Sequence, residues 1–254
     1  MTDYRIMTLN LFNNYGWSKN DTAFSQRVNA IETMLDETEP DLIGVQELTD
    51  RMMVHMDEIR KTFDITGESR HSILNNEKTA ILYRKDRFDL IRSETFWLSD
   101  TPYEKGSRII GSQFPRIVTF ALLKDRENDE LISFFNTHLD LNLSYVRHRQ
   151  AQILRDLIFE NRRGWITVVT GDFNDTADSD TVTTVCAAGL KPLSQNVEGP
   201  TLRGMIGKKR YHQKAIDHIL TDSWIEEASV RKIEDVYSGI WPSDHYPLLG
   251  LIRI

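Results

Sequence analysis

Ten short segments of this chain are apolar or alternate apolar with polar residues, and only three longer segments have helical spacing. Short segments rich in β-branched and aromatic residues are typical of strands. The strands and helices are interleaved without strict alternation, which disfavours a doubly wound parallel sheet or a barrel of eight repeats. The pattern therefore predicts an α+β fold in which two mixed sheets pack face to face between outer helices, a four-layer α/β/β/α sandwich.

The predicted elements cover most of the chain. One long helix shows Val28, Ile31, Met34 and Leu35 at helical spacing and ends before Pro40. Strands are expected at residues 5–11, 41–46, 78–84, 88–97, 116–123, 131–137, 165–169, 215–220, 228–233 and 246–254, and helices at residues 23–38, 144–162 and 179–188.

Composition indicates one globular domain over residues 1–254, because 40% of the residues are hydrophobic and no repeat or low-complexity linker interrupts them. The single cysteine, Cys186, excludes an intramolecular disulfide and is expected to be a small buried hydrophobe. The N-terminus lacks the apolar core of a signal peptide, and no segment approaches the about 20 apolar residues of a membrane span. The sequence thus predicts a cytoplasmic protein, and it indicates no protein partner.

The formal net charge of -7 disfavours tight binding to duplex nucleic acid, because the whole molecule would repel a polyanion. A small phosphate ester is not disfavoured in the same way, since a bound metal ion can supply positive charge locally.

Polar residues emerge from several predicted strands. Asn10 and Glu47 stand at the ends of the first two strands, and Asp172 and Asn174 follow a nearly continuous apolar strand. Phosphate-ester hydrolysis needs an activated water, neutralisation of charge on the phosphoryl oxygens and a stabilised leaving oxygen. Carboxylates, a metal and a histidine can supply these functions, and a hard carboxylate such as Glu47 suits Mg²⁺ or Mn²⁺.

Five short motifs occur along the chain in a defined order, from Asn10 to His245. Together they resemble the endonuclease/exonuclease/phosphatase superfamily, the DNase-I-like hydrolases. Further segments around residues 83–86 and 96–102, followed by Pro115-Arg116, resemble a bacterial branch called metal-dependent hydrolases, although Gln113-Phe114 stands where that branch often has Trp-Asp. The five motifs are Leu9-Asn10, Gln46-Glu47, Asn136-Thr137-His138, Gly171-Asp172-Phe173-Asn174, and Ile216-Asp217-His218 paired with Ser243-Asp244-His245.

The resemblance implies catalytic roles for five residues. Asp172 would orient or deprotonate the attacking water, and Asn174 would donate a hydrogen bond to a phosphate oxygen. His138 would donate to a non-bridging oxygen. Asp217 and His245 would form a carboxylate–imidazole pair in which the carboxylate fixes the ring.

The resemblance also implies a metal site and a substrate contact. Glu47 would ligate Mg²⁺ or Mn²⁺, and Asn10 would either add a neutral oxygen ligand or orient Glu47. Asp244 would complete the metal environment or steady the catalytic water. Arg116 would hold a substrate phosphate by paired hydrogen bonds, the alternative being a surface ion pair.

Two further features fall outside this set. His218 follows Asp217 and would point to the opposite face of its strand, which indicates a structural role. Residues 203–212 include a run of Lys and Arg that forms either a basic loop near the site or a solvated loop.

The sequence therefore predicts a divalent-metal-dependent phosphoesterase acting on a phosphomonoester or phosphodiester of a small molecule, a sugar phosphate, a lipid headgroup or a nucleotide. A nuclease acting on single-stranded or short nucleic acid is the first alternative, and a catalytically silent binding protein with the same fold is the second. The presence of every expected reactive residue disfavours the silent protein. Substrate choice would depend on the loops at residues 103–114, 141–147 and 203–212.

Overall fold

A computed structural model describes residues 1–13, 23–71, 76–204 and 213–254. It contains two six-stranded sheets, each with parallel and antiparallel neighbours. The first sheet, sheet A, has the strand order β11-β12-β1-β2-β4-β3. Its strands are β1 (Asp3–Asn10), β2 (Leu42–Leu48), β3 (Phe63–Thr66), β4 (Lys78–Arg84), β11 (Ala228–Lys232) and β12 (Leu248–Arg253).

The second sheet, sheet B, has the strand order β5-β6-β7-β8-β10-β9. At its centre β7 and β8 run parallel, and β10 runs antiparallel to β8. Its strands are β5 (Phe88–Trp97), β6 (Ile117–Asp125), β7 (Leu131–His138), β8 (Ile166–Asp172), β9 (Leu190–Pro192) and β10 (Asp217–Asp222).

Capping residues and a proline mark several helix ends. The first helix ends at Thr38, and its C-cap Glu39 has left-handed backbone (φ 45) directly before Pro40. Thr49 and Ser179 cap two other helices by accepting hydrogen bonds from the backbone N–H groups of Met52 and Val182. The helices are α1 (Phe24–Thr38), α2 (Asp50–Met53), α3 (Ile59–Thr62), α4 (Ser144–Asn161) and α5 (Asp180–Cys186), with a 3-10 turn at Leu193–Asn196.

Three apolar clusters lie between the successive layers of the fold and pack them together. One packs α1 against sheet A, with Ile31 beside Val45. A second packs α4 and α5 against sheet B, with Leu154 near Phe135. The third lies between the two sheets, which bury apolar side chains against each other. The predicted four-layer α/β/β/α sandwich is therefore confirmed, because each sheet has one face on the other sheet and one on helices.

A polar seam crosses the interface between the sheets beneath the polar strand ends. The Asn136 side chain on β7 donates to the carbonyl oxygens of Val45 and Ala80, both at 2.8 Å, and accepts from Gln46 at 2.7 Å. Gly44 permits this approach, because a Cβ there would lie 1.9 Å from the Thr170 hydroxyl oxygen. The seam fixes sheet A against sheet B, because every polar atom of the Asn136 side chain is paired across the interface.

All ten predicted strands and three predicted helices are present, with ends shifted by a few residues. The sequence patterns missed β3, β9, α2 and α3, which are too short for periodicity to show. Cys186 is half-buried rather than buried, and burial raises the pKa of its thiol to about 11, which keeps it unreactive. Within the described residues, no helix combines the length and apolar character needed to cross a bilayer.

Candidate active site

Three predicted catalytic residues form one row across the end of sheet B. His138, at the end of β7, is paired in register with Asp172, at the end of β8. Asp217 is paired with Asp172 from the other side. Asp217 is the first residue of β10, whereas His138 and Asp172 are the last residues of their strands. It still joins the row, because β10 is antiparallel and presents its N-terminal end where β7 and β8 present their C-terminal ends.

Sheet A brings Asn10 and Glu47 to the same edge. Asn10 pairs with Gln46 at the end of β1, and Glu47 lies in a bulge of β2 with left-handed backbone (φ 62). Such backbone is unusual for a residue other than glycine and concentrates at functional positions. The bulge turns Glu47 toward Asn10, whose amide nitrogen lies 3.1 Å from Glu47 Oε1.

The Asn10 amide connects the two sheets. Its nitrogen also donates to Asp172 Oδ2 at 3.1 Å, while its oxygen accepts from the backbone N–H of Phe12 at 2.9 Å. The amide nitrogen therefore faces the carboxylates, and the oxygen is engaged elsewhere. Of the two roles expected for Asn10, this geometry favours orienting Glu47 over supplying an oxygen ligand.

Asp217 and His245 form the expected pair. His245 lies in the loop before β12, and its Nδ1 is 2.8 Å from Asp217 Oδ2. Its Nε2 lies 3.9 Å from Asp172 Oδ2. Burial alone would lower the pKa of His245, but Asp217, Asp172 and Asp244 together hold it well above the ordinary value. The imidazole is therefore cationic at neutral pH.

The carboxylates around His245 are crowded. Burial and the neighbouring Glu77 and Asp244 raise the pKa of Glu47 to about 7. Burial and Asp217 raise the pKa of Asp172 to about 6, and burial also raises that of Asp244. We call Glu47, Asp172, Asp217, Asp244 and His245 the acidic half of the site.

One part of the acidic half has the spacing of a metal site. Ligand atoms of Asp172, Asp217 and His245 lie within 4.8 Å of one another, and all three residues are buried. These side chains could hold a metal ion, as could Glu47 and Asp244 beside them.

Positive charge collects at the other end of the site. The Arg116 side chain is 7% exposed and makes no hydrogen bond or ion pair with any described residue, and its Nε is buried without a partner. The surface ion pair considered for Arg116 is therefore wrong. Arg70 lies close enough that, after burial, it is the next cause lowering the pKa of Arg116.

His138 lies between the two arginines and the acidic half. Burial, Arg116, Arg70 and His245 lower the pKa of His138 well below its ordinary value, so the ring is neutral. Its Nε2 is 3.7 Å from Asp172 Oδ2. We call Arg70, Arg116 and His138 the basic half of the site.

Asp172 and Asn174 are joined by a local turn. Asp172 Oδ1 accepts from the backbone N–H of Asn174 at 2.9 Å, and the Asn174 side chain donates to the carbonyl oxygen of Leu139 at 3.0 Å. This Asx turn is compatible with a role in the site, because both residues still line the same cleft.

The two halves line one cleft with a volume of about 270 Å³. Asn10 and Asp217 are not part of its wall and instead hydrogen-bond to residues that are. Of the predicted site residues, the cleft is lined by Glu47, Arg116, His138, Asp172, Asn174, Asp244 and His245. A cleft of this size suits a small ligand or the end of a longer one.

Four residues that the sequence patterns did not single out also contribute. Arg27 on α1 is buried and donates to the carbonyl oxygens of Leu11 and Phe12, which holds the chain after β1. The backbone N–H of Asn13 donates to Glu47 Oε2 at 2.6 Å. Arg70 and Glu77 form a buried ion pair at 2.8 Å. Only Arg27 had a usable signal, as a charged residue on the apolar face of a helix.

His218 has the structural role expected of it. It is fully buried, its Nδ1 is 2.6 Å from the Ser194 hydroxyl, and its Nε2 is 2.8 Å from the carbonyl oxygen of Asp175. Of the basic loop at residues 203–212, residues 205–212 lie outside the described part of the chain. Arg203 is described, and its backbone N–H donates to the carbonyl oxygen of Asp244 at 2.7 Å.

Solved structures share this fold over the whole chain. A Bacteroides vulgatus endonuclease/exonuclease/phosphatase has a TM-score of 0.87 with 24% identity, covering 100% of both chains. The Bacteroides thetaiotaomicron mannosyl-6-phosphatase Bt3783 has a TM-score of 0.83 with 23% identity over 99% of this chain and 100% of its own. D. rerio TDP2, complexed with single strand DNA product, has a TM-score of 0.77 with 17% identity over 100% of both chains. No curated protein sequence matches.

These similarities establish a DNase-I-like fold, and a sequence comparison establishes the family. The sequence profile of the Endonuclease/Exonuclease/phosphatase family matches residues 7–245. The chain therefore belongs to the endonuclease/exonuclease/phosphatase family of phosphoesterases, and it carries a buried Asp/Asp/His cluster of which Asp172 and His245 line the cleft.

Proposed function

We propose that this protein is a divalent-metal-dependent phosphoesterase that hydrolyses a phosphomonoester or phosphodiester of a small molecule. The observation that carries the proposal is the separation of charge within one cleft. At one end a buried guanidinium, Arg116, makes no hydrogen bond or ion pair with a described residue, and at the other end several carboxylates crowd together. A phosphate ester with a divalent cation supplies an anion to the first end and a cation to the second.

Mg²⁺ or Mn²⁺ fits the acidic half because its donors are hard oxygens and its carboxylates repel one another. Glu47 and Asp244 are the proposed ligands, with Asn10 orienting Glu47. The cluster of Asp172, Asp217 and His245 is less suited, because His245 Nδ1 and Asp217 Oδ2 are already hydrogen-bonded to each other at 2.8 Å. When bound, the ion supplies charge neutralisation at the phosphoryl oxygens and lowers the pKa of a coordinated water.

The chain's own residues perform the remaining tasks. Asp172, whose pKa of about 6 lies near neutrality, orients the attacking water and accepts its proton. The cationic His245, held by Asp217, donates a hydrogen bond to a phosphoryl oxygen.

The remaining donors act on the other phosphoryl oxygens. Neutral His138 donates from the opposite side. Asn174 uses one N–H on Leu139 and has a second available for the phosphate. Arg116 holds the substrate phosphate through its planar guanidinium.

The proposed substrate class rests on the chemistry of the cleft and on what is known of two structurally similar proteins. The mannosyl-6-phosphatase supports a sugar phosphate as substrate, while D. rerio TDP2 with its single strand DNA product keeps short single-stranded nucleic acid as the alternative. Lipid headgroups and nucleotides remain within the proposal. A catalytically silent binding protein is disfavoured, because each expected reactive residue lies in or directly behind the cleft.

The proposal is tested with a panel of phosphate esters supplied with Mg²⁺ or Mn²⁺. It includes sugar phosphates, nucleotides, nitrophenyl monoesters and diesters, and short oligonucleotides. We expect turnover that requires the metal and is lost in Glu47→Gln. The matched control is Glu226→Gln, which changes an exposed glutamate after the far end of β10. Full turnover in excess chelator would reject metal dependence, and no turnover of any ester would reject the function.

A measurement of binding to duplex DNA distinguishes the proposed function from the nuclease alternative. A net charge of -7 opposes the release of counterions that drives such binding, so we expect no mobility shift at micromolar protein. Micromolar or tighter binding at ~150 mM salt that weakens steeply as salt rises would favour the nuclease.

A further inference from the structure

Arg70 is a second guanidinium held rigidly in the wall of the cleft. Its side chain is 4% exposed, and its guanidinium carbon lies 4.7 Å from the centre of the Phe114 ring. The backbone around it is fixed, because its N–H donates to the carbonyl oxygen of Glu77 and its own carbonyl oxygen accepts from the Trp97 indole at 2.9 Å. Arg70 is therefore a preorganised part of the site, not a surface side chain that happens to be near it.

Two guanidiniums share a single ion-paired carboxylate among the described residues of this part of the cleft. Arg70 and Arg116 line the same cleft as His138, and the two guanidiniums repel each other, which contributes to the lowered pKa of Arg116. Glu77, at 2.8 Å from Arg70 Nη1, compensates one positive charge. Asp140 and Asp172 also attract Arg116, but neither forms an ion pair with it among the described residues. The Nε atoms of both arginines are buried and have no hydrogen-bond partner among the described residues.

Two guanidiniums match the terminal phosphate of a monoester better than the internal phosphate of a diester. A monoester carries three non-bridging oxygens and up to two negative charges near neutral pH, whereas a diester carries two such oxygens and one charge. A guanidinium presents planar donors that pair with phosphate oxygens, and its hydrogen bonds to charged acceptors are the strong ones. Only the monoester offers a further charged oxygen to a second guanidinium.

We propose that Arg70 determines specificity by acting with Arg116 to favour phosphomonoesters over phosphodiesters. This rests on the proposed phosphoesterase function and narrows its substrate class. Arg70 does not touch the attacking water in this scheme. Its contribution is to bind the third non-bridging oxygen, which a diester replaces with an ester link.

The test compares two esters with the same leaving group, 4-nitrophenyl phosphate and methyl 4-nitrophenyl phosphate. Removing Arg70 alone would leave Glu77 uncompensated, so the main variant is Arg70→Gln combined with Glu77→Gln, which keeps the local charge balanced. Glu77→Gln alone is the matched control, and Arg70→Lys keeps the charge but loses the planar fork. Melting curves check that each variant folds.

We expect the wild type to prefer the monoester. The double variant should lose about tenfold or more in kcat/KM on the monoester, mainly through KM, and less than about threefold on the diester. Glu77→Gln should keep the monoester preference, and Arg70→Lys should fall between. Equal losses on the two esters, or a wild-type preference for the diester, would overturn the proposal.

A binding measurement separates this inference from the function on which it rests. In calorimetric titrations, inorganic phosphate should bind the wild type at least about tenfold more tightly than dimethyl phosphate, and the double variant should lose most of that difference. If neither ester is hydrolysed but this difference is found, the function fails and the role of Arg70 stands. If esters are hydrolysed but the two anions bind alike, the role of Arg70 fails and the function stands.

Discussion

The two halves of the cleft bury charge of opposite sign and compensate it in different ways. In the acidic half, neutral donors and a cationic histidine surround the carboxylates: Asn10 bonds to both Glu47 and Asp172, and His245 bonds to Asp217. In the basic half, Glu77 compensates Arg70, while Arg116 has no partner among the residues described. The acidic half is thus largely prearranged by the chain, and the basic half is completed by a ligand.

The two histidines show the same difference. His245 and His138 both line the cleft and both approach Asp172, yet the pKa of His245 is well above the ordinary value and that of His138 well below it. The cause is the charge of their neighbours, because carboxylates surround the first ring and guanidiniums the second. One protein therefore has a cationic and a neutral imidazole on either side of the same carboxylate, which assigns them different tasks.

The largest expected effect tests whether the acidic half acts as a unit. Asp217→Asn and His245→Ala should each lower kcat by about 10²-fold or more, and the double variant should lose about as much as the worse single one. The reason is that Asp217 acts through the ring it holds. The measurement is kcat on whichever ester is turned over, with melting curves for each variant. Strictly multiplicative losses would mean that the two residues act independently.

A smaller effect on activity, with a gain in stability, is expected in the basic half. Arg116→Met should lower kcat/KM by about 10- to 100-fold, because charge-assisted hydrogen bonds to the phosphate are lost. It should also raise the free energy of unfolding by about 1 kcal/mol, because a buried charge without a partner is removed. Kinetics and thermal melts of one sample check both. Arg231→Met, on the exposed edge of β11, is the control and should change neither. A destabilised Arg116→Met would show that the guanidinium has a structural partner.

The third effect is a dependence of stability on pH in the metal-free protein. The pKa of Glu47 is raised in the folded state, so the folded protein binds that proton more tightly than the unfolded chain does. The resulting cost is absent below the ordinary carboxylate range and complete above about 7. With chelator present, stability should therefore fall between pH 5 and 8 by about 2 kcal/mol more in the wild type than in Glu47→Gln. Parallel melting profiles for the two proteins would contradict this.

The smallest expected effect is a shift in Tm, which Mg²⁺ should cause through the acidic half and inorganic phosphate through the basic half. A ligand at a concentration near its Kd adds about 0.4 kcal/mol, which raises Tm by roughly 1 °C in a protein of this size. Mg²⁺ should raise the Tm of the wild type, Arg116→Met and Asp217→Asn but not of Glu47→Gln. Inorganic phosphate should raise that of the wild type and Glu47→Gln but not of Arg116→Met. A Mg²⁺ response lost in Asp217→Asn would place the ion in the Asp172, Asp217 and His245 cluster instead.

The sequence patterns singled out every residue of the acidic half, whereas in the basic half they singled out Arg116 and His138 and missed Arg70, for a physical reason. Glu47, Asp172 and Asp217 occupy fixed positions at the ends of regular strands, where apolar patterns and short motifs reveal them. Arg70 and Glu77 lie in irregular chain beside a short edge strand and approach the cleft through an isolated bridge between Ser69 and Lys78. No periodicity marks such a segment, and only the three-dimensional fold brings it to the site.

Sequence patterns could not predict the details of side-chain geometry either. The amide nitrogen of Asn10 faces the carboxylates because the backbone N–H of Phe12 donates to the amide oxygen. The left-handed backbone of Glu47 depends on a bulge whose cause lies in the pairing of β2 with β4. The burial of Arg116 could not be distinguished from a surface ion pair, because both fit an arginine that follows a proline before a strand.

The Asn136 seam makes the width of the cleft a property of the whole sandwich. Glu47 is carried by one sheet and Asp172 by the other, so the separation of these carboxylates is the separation of the sheets. Asn136 ties the two layers together directly beneath them, and Gly44 leaves no side chain to hold them apart. Asn136, which is not part of the cleft wall, thus acts as a spacer that sets the distance between Glu47, the proposed metal ligand, and Asp172, the proposed base. We expect replacement of Asn136 to change the alignment of these two carboxylates, and with it the activity, while the two sheets remain packed and the protein remains folded.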